Sequence, residues 1–135
     1  MNEEKHLVAQ ISHRAIIVKD RKVLLDLDRK GDWEFPGGRI HIGEEPVESL
    51  KREIKEELFV SIEVGQVFET YVYYSPRGNR YTVIYLAHTP SPINLEVYQQ
   101  DDIFGLRWVS SDEVMSLPMM EENRKVLIKF FDSLR

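Results

Sequence analysis

The segment "GGRIHIGEEPVESLKREIKEELFV", residues 37–60, decides how this chain is interpreted, because it is unusually rich in acidic side chains. Like charges at helical spacing repel each other, so an ordinary surface helix mixes the two signs. The segment is therefore either a solvated acidic face or a site whose carboxylates bind a cation. The glutamates that raise this question are Glu44, Glu45, Glu53, Glu56 and Glu57.

A helix is predicted to begin near Pro46, because proline suits the first helical position. Apolar residues then recur at spacings of three and four and form one stripe along the helix. On a helix with about 100° per residue, Glu53, Glu56 and Glu57 share a sector that borders this stripe, where the helix meets the rest of the fold. The stripe consists of Val47, Leu50, Ile54 and Leu58.

Arg52 and Glu44 are predicted to support this acidic sector. Arg52 lies four residues before Glu56, so it can pair with a carboxylate and hold its position. Glu44 can reach Arg52 if the loop before the helix folds back. Clustered carboxylates without histidine or cysteine ligands favour hard cations, of which Mg²⁺ or Mn²⁺ fits best. A calcium-binding loop is disfavoured, because no alternating Asp/Asn pattern with a central glycine is present.

The rest of the chain predicts strands on both sides of this helix. Turns are predicted at residues 19–22 and 75–79, and the Pro-Gly-Gly stretch at residues 35–38 is predicted to be a loop. Short runs of β-branched and aromatic residues predict strands over residues 15–18, 23–27, 61–74, 80–88 and 105–109.

Two further helices are predicted near the C-terminus. Residues 110–113 should cap a short helix. An amphipathic helix should follow, with Val126, Leu127, Phe130, Phe131 and Leu134 facing the core. The order of the elements predicts an α/β fold in which a mixed sheet is covered by helices on both faces.

The overall composition excludes several classes of function. The 135 residues fit one domain, residues 1–135, and the net charge of −5 disfavours a nucleic-acid polymer as a partner. The absence of cysteine excludes disulfides, thiolate nucleophiles and cysteine-ligated zinc. No apolar run approaches the length of a membrane span and no secretory signal follows the polar start, so a cytoplasmic protein is expected.

The spacing of the acidic segment resembles the signature box of the Nudix hydrolases, with phenylalanine where that box has glycine. Eight of the nine specified positions match. The flanking stretches, Trp33 to Gly38 and Arg107 to Glu113, are also similar to those of the family. The nine positions are Gly38, Glu44, Arg52, Glu53, Ile54, Glu56, Glu57, Phe59 and Val60.

The resemblance implies an α/β/α sandwich that hydrolyses a nucleoside diphosphate linked to another group. It implies that Glu53, Glu56 and Glu57 bind Mg²⁺ or Mn²⁺, while Arg52 and Glu44 orient them. The general base is left open among the helix glutamates and a carboxylate before the last strand. The candidates in that second group are Asp102, Asp101 and, as a weaker option, Glu96.

The substrate is expected to be a small nucleotide, either a nucleoside triphosphate or a compound similar to ADP-ribose. Arg39, Gly38 and Trp33 are the first candidates for contacting it. Arg77 and Arg80 are further candidates for phosphate, and Tyr71 and Tyr73 for stacking a base. A homodimer is a further implication of the resemblance.

Phe59 departs from the family pattern. Because a phenylalanine is strained at positive φ, we expect the helix to end differently here, with Phe59 packed into the core. The departure also motivates an alternative function, a non-catalytic module that senses a nucleotide or binds a protein.

Overall fold

The computed structural model describes residues 5–96 and 103–135 and shows a mixed sheet flanked by two helices. The helices are α1 (Pro46–Leu58) and α2 (Glu121–Ser133), and a short 3₁₀ helix spans Ser111–Glu113. The strands are β1 (Ala9–Lys19), β2 (Lys22–Leu27), β3 (Trp33–Glu34), β4 (Gly37–Arg39), β5 (Glu63–Tyr73), β6 (Asn79–His88) and β7 (Gly105–Val109).

The central strand of the sheet is β1. It pairs in parallel with β6 and antiparallel with β2 and β4. The strands follow the order β3-β2-β1-β6-β5, and β7 joins through β2. The mixed sheet predicted from the order of the elements is therefore confirmed.

The two faces of β1 enter two separate hydrophobic cores, because successive side chains of a strand point to opposite faces. Ile16 packs in a core that includes Phe130 and other apolar residues of α2. Ile17 packs in a second core with Leu50 and Ile54 of α1. The predicted apolar stripes of both helices thus cover opposite faces of one sheet.

The loop predicted at residues 35–38 is only partly correct. Gly37 and Gly38 belong to β4, where they pair with Arg14 and His13 of β1. Gly37 has φ +146°, and a Cβ atom there would lie 2.1 Å from the carbonyl oxygen of His13. Only glycine allows this close approach, so Gly37 and Gly38 belong to a strand and not to a free loop.

The end of α1 also differs from the prediction. Phe59 has φ 59° and ψ 28°, the left-handed conformation, and its N–H donates a hydrogen bond to the carbonyl oxygen of Lys55. The residue is 54% exposed and is not packed in the core. The helix therefore ends as it would with glycine, although a non-glycine residue adopts this conformation at a cost of roughly 1–2 kcal/mol.

The remaining predicted connections agree with the structure. The turn between β1 and β2 consists of Asp20 and Arg21, which both have positive φ, as a two-residue hairpin turn requires. Ser110 and Glu113 form a capping box on the 3₁₀ helix. No helix in residues 5–96 and 103–135 is long and apolar enough to cross a membrane.

Candidate active site

The acidic face of α1 forms one wall of a cavity of about 820 Å³. The other walls come from the first half of β1, from β4 and from the strands beside them. Its lining combines carboxylates, arginines and two apolar side chains. The lining residues are Ser12, Arg14, Asp26, Glu34, Gly37, Gly38, Arg39, Glu53, Glu56, Glu57, Phe59, Arg80 and Ile103. We call this cavity the acidic pocket.

Arg52 holds three carboxylates on the outer side of the acidic pocket. Its Nε lies 2.6 Å from Glu44 Oε2, and its terminal nitrogens lie 3.1 Å from Glu53 Oε1 and 3.0 Å from Glu56 Oε1. The backbone N–H of His41 also donates a hydrogen bond to Glu44. These contacts, led by the Arg52 hydrogen bond, lower the pKa of Glu44 to about 2. The predicted contact between Glu44 and Arg52 is thus present, and Glu44 keeps its charge.

Glu57 lies on the inner side of the acidic pocket and is largely buried. Its Oε1 atom has no hydrogen-bond partner among the described residues. Burial and then the negative charge of Glu53 raise the pKa of Glu57 to about 8. A buried carboxylate that lacks a full set of partners is costly, so this position favours a bound cation or proton.

Glu53 is positioned by the absence of a side chain at Gly38. A Cβ atom at Gly38 would lie 2.9 Å from the carboxyl carbon of Glu53 and 3.1 Å from both of its oxygens. Glycine at this point of β4 therefore leaves the space that the Glu53 carboxylate occupies. Gly38 acts on the site through Glu53, a role that the sequence reasoning did not give it.

Three charged residues of the acidic pocket were missed by the sequence reasoning: Arg14, Asp26 and Glu34. Arg14 donates hydrogen bonds to Glu34 Oε1 at 3.2 Å and to the carbonyl oxygen of Phe35 at 3.0 Å. Burial, followed by the charge of Glu34, raises the pKa of Asp26 well above its usual value. The sequence did offer one signal for Arg14: the polar residues Ser12 and Arg14 stand at alternate positions of β1 and therefore share one face of the strand.

A polar groove of about 1120 Å³ adjoins the acidic pocket. The two cavities share Arg14, Glu34, Arg39 and Arg80. The groove then continues past Arg77 and the turn between β5 and β6. Its many basic side chains suit a ligand that carries phosphate groups. We call this second cavity the basic groove; its other lining residues are Val8, Ala9, Gln10, Asp28, Arg29, Lys30, Asp32, Tyr73, Ser75, Gly78, Asn79 and Met120.

The comparisons with known proteins agree with this fold. The family model described as "NUDIX domain" matches residues 9–130. The chain belongs to the Nudix hydrolase family. The fold class and family predicted from the sequence are therefore confirmed.

Individual Nudix proteins resemble the chain over most of its length. The "CTP pyrophosphohydrolase" of Escherichia coli (strain K12) is 31% identical over 121 residues, which cover 86% of this chain and 87% of the relative. A NUDIX hydrolase structure from Nitrosomonas europaea has a TM-score of 0.78 at 17% identity and covers 95% of this chain and 92% of that one. A MutT NUDIX hydrolase from Burkholderia pseudomallei has a TM-score of 0.77 at 24% identity, with 89% and 96% covered.

Three carboxylates of the Nudix box, Glu53, Glu56 and Glu57, share one pocket but do not form a finished metal site. Within residues 5–96 and 103–135, no group of three or more His, Cys, Asp or Glu is placed to hold a metal ion. The reason is visible in the contacts, since Arg52 engages Glu53 and Glu56. The donors nevertheless fit a hard cation, because Glu57 offers an unpartnered buried oxygen beside Glu53.

Several predicted site residues lie elsewhere or are not described. Trp33 is not among the described residues that line either cavity. It packs against the core on the α2 side, with Arg107 near its ring. The Tyr71 hydroxyl donates a hydrogen bond to Asn123 at 2.8 Å, which indicates a structural role. Asp101 and Asp102 lie outside the described residues. Arg39 lines both cavities, and its contact with a substrate stays a prediction.

Proposed function

We propose that this Nudix protein is a Mg²⁺-dependent enzyme that hydrolyses the pyrophosphate bond of a nucleoside diphosphate derivative. The proposal rests chiefly on one observation: the buried, unpartnered carboxylate oxygen of Glu57 lies beside Glu53 in a pocket that opens to basic side chains. The 31% identical relative named CTP pyrophosphohydrolase supports a nucleoside triphosphate as one substrate class. An ADP-ribose-like compound is the second class.

Glu53, Glu57 and Glu56 would hold the cation. When bound, Mg²⁺ neutralises charge on the phosphoryl oxygens and makes a bound water more acidic. Arg52 and Glu44 keep Glu53 and Glu56 in position, because their hydrogen bonds restrict the rotamers of both glutamates.

The remaining steps concern the substrate and the water. Arg39 and Arg80 line both cavities, so they can contact the phosphates of a substrate that extends into the basic groove. The oxygen of a water molecule forms a bond to one phosphorus, and the bridging P–O bond breaks. The leaving phosphate keeps the bonding electron pair, and the water loses a proton to a carboxylate. Asp102 or one of the helix glutamates is the proposed acceptor.

A substrate screen tests this function. Nucleoside triphosphates and nucleoside diphosphate derivatives are incubated with the protein, with and without Mg²⁺ or Mn²⁺, and nucleotide release is measured. We expect turnover only with the metal. Glu56→Gln and Glu57→Gln should lower the rate, whereas Glu48→Gln, on the exposed start of α1, should not. Turnover that is equal with and without metal, or unchanged in both site variants, contradicts the proposal.

A non-catalytic nucleotide-sensing or protein-binding module is the second candidate. Phe59 favours this candidate, because the one position that differs from the family motif lines the acidic pocket. Calorimetry separates the two. A sensor binds a nucleotide tightly without metal and leaves it intact for hours, whereas the enzyme needs metal and consumes the nucleotide.

The proposed function also implies a partner, a location and an oligomeric state. A small nucleotide is the proposed partner, and the net charge of −5 argues against a nucleic-acid polymer. We also propose a cytoplasmic location and a homodimer. Light scattering on the purified protein tests the dimer, since a monomeric mass at micromolar concentration contradicts it.

A further inference from the structure

Three of the described non-glycine residues have positive φ, and Phe59 is the apolar one among them. The two others are Asp20 and Arg21, which form a hairpin turn that requires this conformation. The end of a helix commonly takes the same conformation, but there glycine adopts it without strain. Strain of this kind concentrates at functional sites, so an observed case is a reason to look for a function.

Burial in the core does not offset the strain at Phe59. The residue is 54% exposed, and neither hydrophobic core of the described residues includes it. The neighbouring Leu58 and Val60 are buried. The stability of the folded chain therefore gives no reason for a large aromatic ring at this position.

The position of Phe59 in the acidic pocket gives such a reason. Phe59 and Ile103 line the acidic pocket together with Glu56 and Glu57. Neither apolar residue lines the basic groove, which meets the pocket through Arg14, Glu34, Arg39 and Arg80. The pocket thus has a basic side that continues into the groove and an apolar part that does not.

This arrangement has a consequence for a bound diphosphate, given the proposed function. When the two phosphates lie at the carboxylates and the nucleoside extends into the basic groove, the group on the second phosphate approaches the apolar part. A bare terminal phosphate gains nothing from an aromatic ring, because the ring displaces its water without replacing the hydrogen bonds. The C–H face of a sugar or another organic group packs well against such a ring.

We infer that Phe59 is a specificity-determining residue, whose ring contacts the group on the second phosphate and shifts selectivity towards diphosphates that are substituted at both ends. Nucleoside diphosphate sugars belong to this class, and nucleoside triphosphates do not. The inference rests on the proposed function, because it takes the acidic pocket as the place where the diphosphate binds.

A matched pair of substrates tests this role. CTP and CDP-glucose share the cytidine diphosphate and differ only in the group on the second phosphate. For each, kcat and KM are measured with Mg²⁺ for the wild type, Phe59→Gly and Phe59→Asn. Glycine and asparagine both tolerate the left-handed conformation, so neither variant changes the end of the helix.

Both variants should lower kcat/KM for CDP-glucose by up to about tenfold, mainly through KM, and change it for CTP by less than about twofold, as expected for the loss of one aromatic contact. The Tm of Phe59→Gly should rise, because the strain is removed. A similar change for both substrates, or no change for either, overturns the inference.

A binding measurement gives the same comparison without turnover. Calorimetry measures the Kd of the uncleavable α,β-methylene analogues of CTP and CDP-glucose in the presence of Mg²⁺. A selectivity for the CDP-glucose analogue that falls in Phe59→Gly supports the role of Phe59 even if the wild type hydrolyses nothing. Inactivity of the wild type alone contradicts the hydrolase proposal, whereas an unchanged binding ratio contradicts the role of Phe59.

Discussion

Each face of β1 borders or carries a buried titratable group without a full set of partners, Glu57 of α1 on one side and His13 of β1 on the other, and the surroundings of the two groups differ. On one face, Arg14 and Ser12 line the acidic pocket, where Glu57 has an unpartnered oxygen. On the other face, His13 is 1% exposed and neither ring nitrogen has a hydrogen-bond partner among the described residues. The side chains that share its cavity are apolar or aromatic, and the charges of Arg14, Arg52 and Glu44 act on it from outside that cavity.

The difference shows what makes an unpartnered buried group a sign of a binding site. Burial and then the charge of Arg14 lower the pKa of His13 to about 4, so the imidazole is neutral near pH 7. A neutral imidazole among apolar side chains, such as Ile11 and Tyr85, is tolerated without a ligand. Glu57 instead lies among other carboxylates, where only a cation or a proton relieves the repulsion.

The largest effect is expected for Glu57→Gln, which removes the charge of the inner carboxylate and keeps its shape. Loss of a metal ligand should lower kcat by roughly a hundredfold or more, which corresponds to about 3 kcal/mol of activation free energy. Steady-state kinetics with saturating Mg²⁺ measure the change. The free energy of unfolding without metal should not fall, because wild-type Glu57 must either bury a charge or take up a proton on folding, and glutamine does neither. If the variant is as active as the wild type, the unpartnered oxygen of Glu57 does not mark a binding site, and Glu57 does not differ from His13 in this respect.

Gly38→Ala should have the next largest effect. The new Cβ atom would meet the Glu53 carboxyl group at 2.9 Å, so this carboxylate must move. Displacing a catalytic group by about 1 Å can lower the rate by about a hundredfold. Gly105→Ala is the matched control, because a Cβ atom there meets its neighbours at an ordinary 3.4 Å or more. If both variants keep the wild-type kcat, Gly38 does not position Glu53.

Arg52→Lys tests the outer side of the acidic pocket. Lysine keeps the positive charge but cannot contact Glu44, Glu53 and Glu56 simultaneously with fixed geometry. We expect the concentration of Mg²⁺ that gives half-maximal activity to rise by about tenfold or more, because groups that orient metal ligands have effects of this size. Lys51→Arg, on the same helix, should have no effect. An unchanged Mg²⁺ requirement in Arg52→Lys would show that Arg52 serves stability alone.

The smallest effect concerns His13 and the other face of β1. The pKa of His13 is 6.5 in the unfolded chain and about 4 in the fold. Between these two pH values the unfolded state therefore binds a proton that the folded state does not. Stability should therefore be complete above about pH 6.5 and decrease towards pH 4, by roughly 1–3 kcal/mol.

Denaturant unfolding of the wild type and of His13→Leu at several pH values measures this difference. The variant should lack that part of the pH dependence. His88→Gln is the control, because His88 is exposed and its removal should leave the dependence intact. An equal decrease in the wild type and in His13→Leu would show that other groups cause it.

The parts of the molecule that were predicted from the sequence depend on local spacing. The period of Leu50, Ile54 and Leu58 predicts α1 and its buried side, and the position of Arg52 relative to Glu56 predicts their ion pair. Both relations are fixed by the geometry of a single helix. The same holds for the turn at Asp20 and Arg21, which lies between two adjacent strands.

The parts that were missed depend on which strands become neighbours. Arg14 and Glu34 meet because β1, β2 and β3 lie side by side, and no spacing within one segment shows this. Asp26 was also missed, because it lies within the apolar run of β2; this residue is 3% exposed. The prediction for Phe59 was wrong because the hydrogen bond to Lys55 keeps the left-handed cap despite its strain.

The parallel pairing of β1 with β6 has a consequence for the way this chain folds. The hydrogen bond between Ser12 and Thr82 joins residues that are 70 positions apart. Closing so long a loop carries an entropic penalty before any contact compensates for it, and topologies of this kind fold slowly. A ribosome must therefore synthesise β6 before the first strand finds its parallel neighbour, and until then the edge of β1 that takes β6 stays unpaired, although β2 and β4 can already pair with β1.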